Sequence, residues 1–198
     1  MNKIISIVIF LTYLFFPIHS FSATVLPLDL NKIHSEASYV FHGQCIANDV
    51  VEDTQTGMIV TITTFSVIET LKGNVGQTYT IKQVGGNLPN SSDLMMIPGV
   101  PKFEIGKNYV VFLPQSSRLG FSSPIGLDQG KFDILFDKQG NRVVGNGRDI
   151  EQLLENIPQQ NIPSQVTVLN KNSVVNKNAK RTELPLNDFL SIVRQIGK

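Results

Sequence analysis

The chain has 198 residues with 17 basic and 16 acidic side chains, and it contains a single cysteine. A near-neutral chain has no overall electrostatic attraction for nucleic acid, and one thiol excludes an internal disulfide, so the fold must hold by its core alone. The length suits one ordinary domain, with or without tails.

The N-terminus has the pattern of a signal peptide. Lys3 precedes an unbroken apolar run from Ile4 to Phe16, and small residues follow at 20–23. This pattern predicts a signal peptide over residues 1–22, cleaved after Ser22 or after Ala23. An uncleaved anchor is the alternative, but the run is shorter than the ~20 apolar residues that span a bilayer. We therefore expect a soluble exported protein, periplasmic or extracellular, with no stable membrane insertion after cleavage.

A short helix and three strands are predicted up to residue 84. Apolar residues at helical spacing favour one or two helical turns in Leu28–Ala37. Tyr39–Val51 alternates as a strand does, and its better core face carries Tyr39, Phe41, Gly43, Cys45 and Ala47. Met58–Leu71 is rich in β-branched residues and long for one strand, which predicts a bent or bulged strand. Gln77–Val84 is the third strand, with Tyr79 and Ile81 inward.

Two long loops separate the later strands. The loop Gly85–Val100 contains the apolar patch Leu94–Pro98, and the loop Pro114–Pro124 precedes a glycine-containing turn. Long loops between strands are uncommon and often functional, although a cover over the open end of a barrel is the alternative. The remaining predicted elements are a strand at Tyr109–Leu113 buried on both faces, a strand at Gly126–Leu135, a small hairpin formed by Asp137–Gly140 and Val143–Val144, and a short helix at Arg148–Asn156.

The C-terminal part divides into a polar segment and a helix. Residues 158–182 are rich in Asn, Gln, Ser and Pro and are predicted to form a disordered linker. Residues 183–198 are predicted to form an amphipathic helix, because Leu186, Phe189, Leu190, Val193 and Ile196 recur at helical spacing. Its apolar stripe is expected to dock on the barrel; the alternative is contact with a partner or a membrane surface.

These elements predict a mainly-β fold. We expect a small OB-like barrel of five to six strands over residues 23–157, with a short N-terminal helix and the C-terminal amphipathic helix.

The usual catalytic patterns are missing from the sequence. His42 is expected to be a surface or hydrogen-bonded histidine, and Cys45 a buried, inert thiol. Asp49, Glu52 and Asp53, like Asp128 and Asp133, have no spacing typical of a calcium loop. The pair Gly85–Gly86 is a poor phosphate cradle because no helix follows it. We therefore expect no catalytic, metal or cofactor site.

Three phrases carry a resemblance to a known family: Ala37–Cys45, Phe65–Gly73 and Phe103–Phe112. Together they resemble the netrin-like and tissue-inhibitor-of-metalloproteinases type of OB-fold domain. They are still more similar to uncharacterised bacterial secreted proteins that lack the disulfides and continue through a segment like Gly126–Phe132. The resemblance implies the fold and a general capacity to bind proteins. The inhibitors use an N-terminal cysteine that this chain lacks, so their mechanism does not carry over.

The leading hypothesis is an exported, non-enzymatic module that binds another exported protein, for example a protease, and no nucleic acid. The alternatives are an inhibitor of a secreted metalloprotease that acts without contacting its zinc, and a hydrolase that uses His42 or Cys45. The binding residues are expected in the two long loops: Asn87, Leu88, Pro89, Leu94, Met95, Met96, Ser116 and Arg118.

Overall fold

The structure is a computed structural model that describes residues 26–89, 94–166 and 182–197. The predicted signal peptide and residues 167–181 of the predicted linker lie outside the described residues. None of the helices in the described part is long and apolar enough to cross a membrane.

The strands are β1 (Tyr39–Glu52), β2 (Ile59–Lys72), β3 (Thr78–Val84), β4 (Gly86–Asn87), β5 (Leu94–Met95), β6 (Asn108–Leu113), β7 (Lys131–Phe136), β8 (Arg142–Gly145) and β9 (Leu184–Pro185). The helical elements are α1 (Leu30–Glu36), α2 (Ile150–Leu153), a 3₁₀ turn (Gln159–Asn161) and α3 (Leu186–Ile196), and residues 164–166 are also helical.

Seven strands form one antiparallel sheet in the order β3-β2-β1-β6-β7-β8-β9, and β4 and β5 form a small hairpin beside it. The mainly-β prediction is confirmed, although the main sheet has seven strands instead of five or six and does not close into a barrel. β3 and β9 are the two edges of the described sheet and do not pair with each other. β9 is only two residues long and runs directly into α3.

The sheet nevertheless curls strongly. The loop that follows β6 reaches the outer edge of β3, where the Ser122 amide donates a 3.0 Å hydrogen bond to the Lys82 carbonyl and Phe121 forms a parallel bridge with Lys82. β2 and β1 lie between β3 and β6 in the sheet, so this contact requires the sheet to bend round. Three register shifts in the β1–β2 pairing accompany the bend.

The curled sheet has a core on each face. The inner face holds an aromatic core, formed by Phe41, Cys45, Phe65, Ile81, Phe103, Tyr109, Val111 and Leu113. The outer face and the helices enclose a second, helix-side core, which contains Val40, Val110, Phe112 and Phe132. β6 contributes to both cores, which confirms the prediction that this strand is buried on both faces.

α3 docks on the helix-side core. Its buried residues are Leu186, Phe189, Leu190, Ile192 and Val193. The Phe189 ring lies 4.8 Å from the Phe132 ring, and the Arg194 guanidinium donates two hydrogen bonds to the Glu69 carboxylate. Each fully buried side chain of this size contributes about 1.5–3 kcal/mol. The prediction that the apolar stripe of the helix docks on the sheet is therefore confirmed.

Two other predictions need correction. Ile162 and Val166 are buried in the helix-side core, so residues 158–166 do not belong to a disordered linker. The strand predicted over Gly126–Leu135 begins only at Lys131, because Gly126 and Leu127 have positive φ values of 62° and 65° and form a turn.

Candidate functional site

His42 and Cys45, the two side chains considered as candidate catalysts, lie on opposite faces of β1. Cys45 is fully buried in the aromatic core, where burial raises the pKa of its thiol. His42 is 4% exposed on the other face, and its Nε2 has no hydrogen-bond partner in the described chain. The expected surface position of His42 is therefore wrong, whereas the alternative of a hydrogen-bonded histidine stays a prediction. The sheet separates the two side chains, so they do not form a nucleophile and base.

The carboxylates near the β1–β2 turn serve the fold. Lys82 donates a 2.9 Å hydrogen bond to Asp53, and Thr56 donates a 2.7 Å bond to the same carboxylate. The bonds from Thr56 and Lys82 hold the pKa of Asp53 below its usual range. Lys82 also lies 4.5 Å from the centre of the Phe121 ring. No three His, Cys, Asp or Glu residues of the described segments converge as metal ligands would.

A cavity of about 260 Å³ opens at one end of the aromatic core. Its floor is formed by β1, β2 and β3, and its opposite wall by β5 and the segment 96–103. The described lining residues are Asn48, Val50, Thr61, Thr63, Gln83, Val84, Gly85, Gly86, Asn87, Leu94, Met95, Met96, Ile97, Val100, Pro101, Lys102 and Phe103.

A bulge in β1 places two of these residues on the floor. The β1–β2 pairing joins Cys45 to Phe65 and then Ala47 to Thr64, so one extra residue is inserted in β1. The alternation of β1 shifts by one position after the bulge. Asn48 and Val50 therefore share the inner face with Cys45, and Ala47, predicted for that face, does not continue it.

The polar groups of the floor bond to one another. Thr63 Oγ1 donates to Asn48 Oδ1 at 2.7 Å, and Asn48 Nδ2 donates to the Phe103 carbonyl oxygen at 2.7 Å. Thr61 Oγ1 donates to the Gly85 carbonyl oxygen at 2.6 Å. Because these groups already have partners, the floor presents mainly satisfied polar atoms and hydrocarbon to a ligand.

The glycine pair beside the floor is required by close packing. Gly86 has φ +148°, and a Cβ there would lie 2.6 Å from Val50 Cγ1 and 2.8 Å from Thr61 Oγ1. A Cβ on Gly85, at φ +102°, would lie 2.8 Å from the Met95 carbonyl oxygen. The two glycines let β4 and β5 approach the main sheet, which explains the pair without a phosphate.

The mouth of the cavity is apolar and exposed. Leu94, Met96 and Ile97, hereafter the apolar rim, have exposed fractions of 59%, 64% and 44%. The turn after the rim contacts Leu127, because a Cβ added to Gly99 would lie 2.8 Å from Leu127 Cδ1. The Leu127 side chain thus packs closely on the turn that follows the apolar rim.

The structure brings only some of the predicted binding residues together. Asn87, Leu94, Met95 and Met96 line the cavity. Leu88 and Pro89 follow Asn87 in the chain but do not line it. Ser116 lies elsewhere along β3 and hydrogen-bonds to Tyr79, and Arg118 is exposed in the same loop.

The polar residues of the cavity floor were not among the predicted binding residues. Asn48, Thr61, Thr63 and Gln83 come from three strands, and the cross-strand register pairs Asn48 with Thr63 and Thr61 with Gln83. Polar residues at alternate positions of a strand that otherwise faces a core are the signal that could have found Thr61 and Thr63. The β1 bulge concealed the corresponding signal from Asn48.

A second depression, of about 350 Å³, lies between the β7–β8 turn and the start of α3. Its lining includes Asp137, Asn141, Arg142 and Asn187. The Asp137 carboxylate already accepts hydrogen bonds from the main-chain amides of Gln139 and Asn141, so it closes the turn. This depression is explained by the hairpin and is the weaker candidate.

The described residues thus define a mainly-β protein with an open, curled antiparallel sheet and a cavity at one end of its inner core. The chain matches no model of a protein family, and it matches no curated protein.

Proposed function

We propose that the chain is an exported, non-enzymatic protein-binding module, and that its binding surface is the cavity together with the apolar rim. The observation that carries this proposal is the exposure of Leu94, Met96 and Ile97 around a cavity whose polar floor is satisfied internally. Clustered exposed apolar side chains beside a concave surface are typical of interaction sites. Methionine is suited to such a site because its flexible side chain adapts to a partner.

The size of the cavity supports a macromolecular partner. Its volume of about 260 Å³ lies below the roughly 300–1,000 Å³ of sites that enclose a whole small molecule. A cavity of this size suits one side chain of a larger molecule, with the rest of that molecule lying across the rim. Buried anchors of this kind carry most of the binding energy in protein interfaces.

The chemistry of the cavity supports binding rather than catalysis. The described lining contains no His, Cys, Asp or Glu, and its one lysine lies at the exposed edge. His42 and Cys45, the candidates for a hydrolase, lie on opposite faces of β1. The hydrolase alternative has no supporting geometry in the described chain.

The start of the described chain is compatible with removal of a leader. Gln129 Nε2 donates to the Leu26 carbonyl oxygen at 3.1 Å, and the Leu28 amide donates to Gln129 Oε1 at 2.8 Å. Arg148 also donates to the Leu28 carbonyl oxygen. These contacts anchor the start of the described chain, a few residues after the predicted cleavage sites.

The test is capture of partners from the exported fraction of the native host. The tagged protein is compared with Met96→Glu, which charges the apolar rim, and with Phe136→Glu as the matched control. Phe136 is 72% exposed and belongs to β7, outside the cavity lining. Recovered proteins are quantified by mass spectrometry, and circular dichroism verifies that each variant is folded.

We expect one or more exported proteins to be recovered with the unmodified chain and with Phe136→Glu, and to be lost with Met96→Glu. Equal recovery with all three would refute the cavity as the binding surface. Recovery of nothing above a blank resin would refute the binding proposal in that fraction.

A further inference from the structure

We infer that the segment recognised by this cavity is a peptide that carries an apolar side chain next to a carboxylate: the apolar group enters the cavity and the carboxylate pairs with Lys102. This inference rests on the proposed function and specifies the chemistry of its partner. It is carried by the charge of the cavity edge, the rigidity of that edge and the size of the cavity.

Lys102 is the only charged residue among the described residues that line the cavity. Its side chain is exposed and forms no ion pair with a described residue. Neighbouring lysines differ in this respect. Lys107 pairs with Glu104 at 2.8 Å, and Lys131 pairs with Asp133 at 3.0 Å. Among the described residues, the cavity edge therefore offers one positive charge that a ligand can neutralise, which favours a negative group.

The backbone at Lys102 is fixed on both sides. Pro101 and Phe103 are buried, and the Phe103 ring lies 4.9 Å from Phe65 and 5.1 Å from Tyr109 in edge-to-face contacts. The Phe103 carbonyl oxygen accepts the hydrogen bond from Asn48. The backbone of Lys102 is thus anchored at the cavity edge by its two neighbours, and its side chain is exposed there. Such pre-organisation lowers the entropy lost on binding.

A carboxylate on an apolar body also describes a fatty acid, but the shape of the site favours a peptide. The cavity has the volume for one side chain, whereas a long acyl chain would extend over the exposed rim. A peptide buries one side chain in the cavity and covers Leu94, Met96 and Ile97 with its neighbours. An Asp or Glu within one or two positions of the anchor then lies near Lys102.

The test selects phage-displayed random heptapeptides on four immobilised proteins: the unmodified chain, Lys102→Glu, Met96→Glu and Lys138→Glu. Lys138 is exposed in the β7–β8 turn, outside the cavity lining, and serves as the charge-matched control. A representative selected peptide is then titrated by calorimetry against each protein, and sodium dodecanoate is titrated as the fatty-acid probe.

We expect the unmodified chain and Lys138→Glu to enrich a large apolar residue within two positions of Asp or Glu. Lys102→Glu should enrich Lys or Arg at the acidic position instead. The representative acidic peptide should bind Lys102→Glu at least about threefold more weakly, since an exposed pair becomes a repulsion.

Two results would overturn this inference and leave the proposed function intact. One is that peptides are enriched on the unmodified chain and lost with Met96→Glu, but show no preference for Asp or Glu and are enriched equally on Lys102→Glu. The other is capture of an exported protein through the rim together with heptapeptide selections that never enrich an acidic residue. If no selected peptide depends on Met96 for binding but dodecanoate binds, the cavity would be assigned to a fatty acid. Absence of every Met96-dependent interaction would overturn both proposals.

Discussion

Asn48 and Phe103 are joined by a 2.7 Å hydrogen bond from the side-chain Nδ2 of Asn48 to the main-chain carbonyl oxygen of Phe103. The bond connects β1 to the segment that carries Lys102. Because Asn48 also accepts from Thr63 on β2, one amide side chain links the floor of the cavity to its far wall. The shape of the cavity therefore depends on Asn48, although this polar residue contributes little to the apolar surface of the cavity.

Replacing Asn48 with Ala should destabilise the protein by about 1–3 kcal/mol, because the buried Thr63 hydroxyl and the Phe103 carbonyl lose their partner. Urea unfolding followed by circular dichroism measures the loss. The matched control is Gln44→Ala, since Gln44 Nε2 also donates from β1 to this region, at 2.8 Å to the Gly106 carbonyl oxygen, but at an exposed position. The control should lose about 0.5 kcal/mol or less. Equal losses would mean that Asn48 has no special role.

Replacing Gly86 with Ala should cost more stability than the same change at Gly140. Both glycines have positive φ, so both variants carry backbone strain of about 1 kcal/mol or more. Only at Gly86 does the added Cβ meet Val50 and Thr61, whereas nothing lies within 4 Å at Gly140. The extra overpacking should add about 1–3 kcal/mol in urea unfolding. A difference near zero would show that β4 moves away from the sheet without cost.

Much of the fold could be predicted because its signals are local. The β-branched run at 58–71 identified β2, and the apolar stripe of residues 186–196 identified α3 as a packed helix. The loop containing Leu94–Met96 was predicted to bind a partner because it is long and carries an apolar patch in a turn-rich segment. The structure places those residues at the cavity.

The rest could not be predicted because it depends on contacts between distant segments. The bulge between Cys45 and Ala47 leaves no mark in a sequence that alternates on either side of it, yet it decides which face Asn48 occupies. At the edge of β3 the sheet meets the loop after β6 and not another strand, and Ile162 and Val166 are buried in spite of their polar surroundings in the sequence. Ser116 and Arg118 were chosen because their loop is long, and that loop instead follows the edge of β3.

Stability should fall as the pH is lowered below about 6.5, because two histidines are buried under the helices. Burial, with Lys72 nearby, lowers the pKa of His34. Burial and Arg142 lower the pKa of His42, while Glu69 opposes the shift. The unfolded chain then binds protons at a higher pH than the folded one, so protonation favours unfolding between the unfolded pKa and the lowered folded pKa. Above that window the full stability is present.

Urea unfolding at pH 8, 7, 6 and 5 measures this dependence. The variant His34→Leu combined with His42→Leu should show a flatter stability profile between pH 7 and pH 5 than the unmodified chain, whatever its absolute stability. All other ionisable groups are unchanged in the variant, so a difference between the two profiles reports the two histidines. Parallel profiles for the two proteins would contradict the assignment to these histidines.

The Cys45 thiol should react very slowly with an aromatic disulfide reagent in the folded protein. The side chain is fully buried in the aromatic core, so the reagent cannot reach the sulfur. Burial also raises the pKa of the thiol, so the reactive thiolate form is rarely present. The reference is a Cys45→Ser, Lys138→Cys variant, which carries one exposed thiol. Cys45 should react on the order of 10²-fold more slowly than that thiol, because reaction requires an opening of the core that costs several kcal/mol. In denaturing urea the two rates should converge. Fast reaction of folded Cys45 would restore it as a candidate nucleophile, and with it the hydrolase alternative.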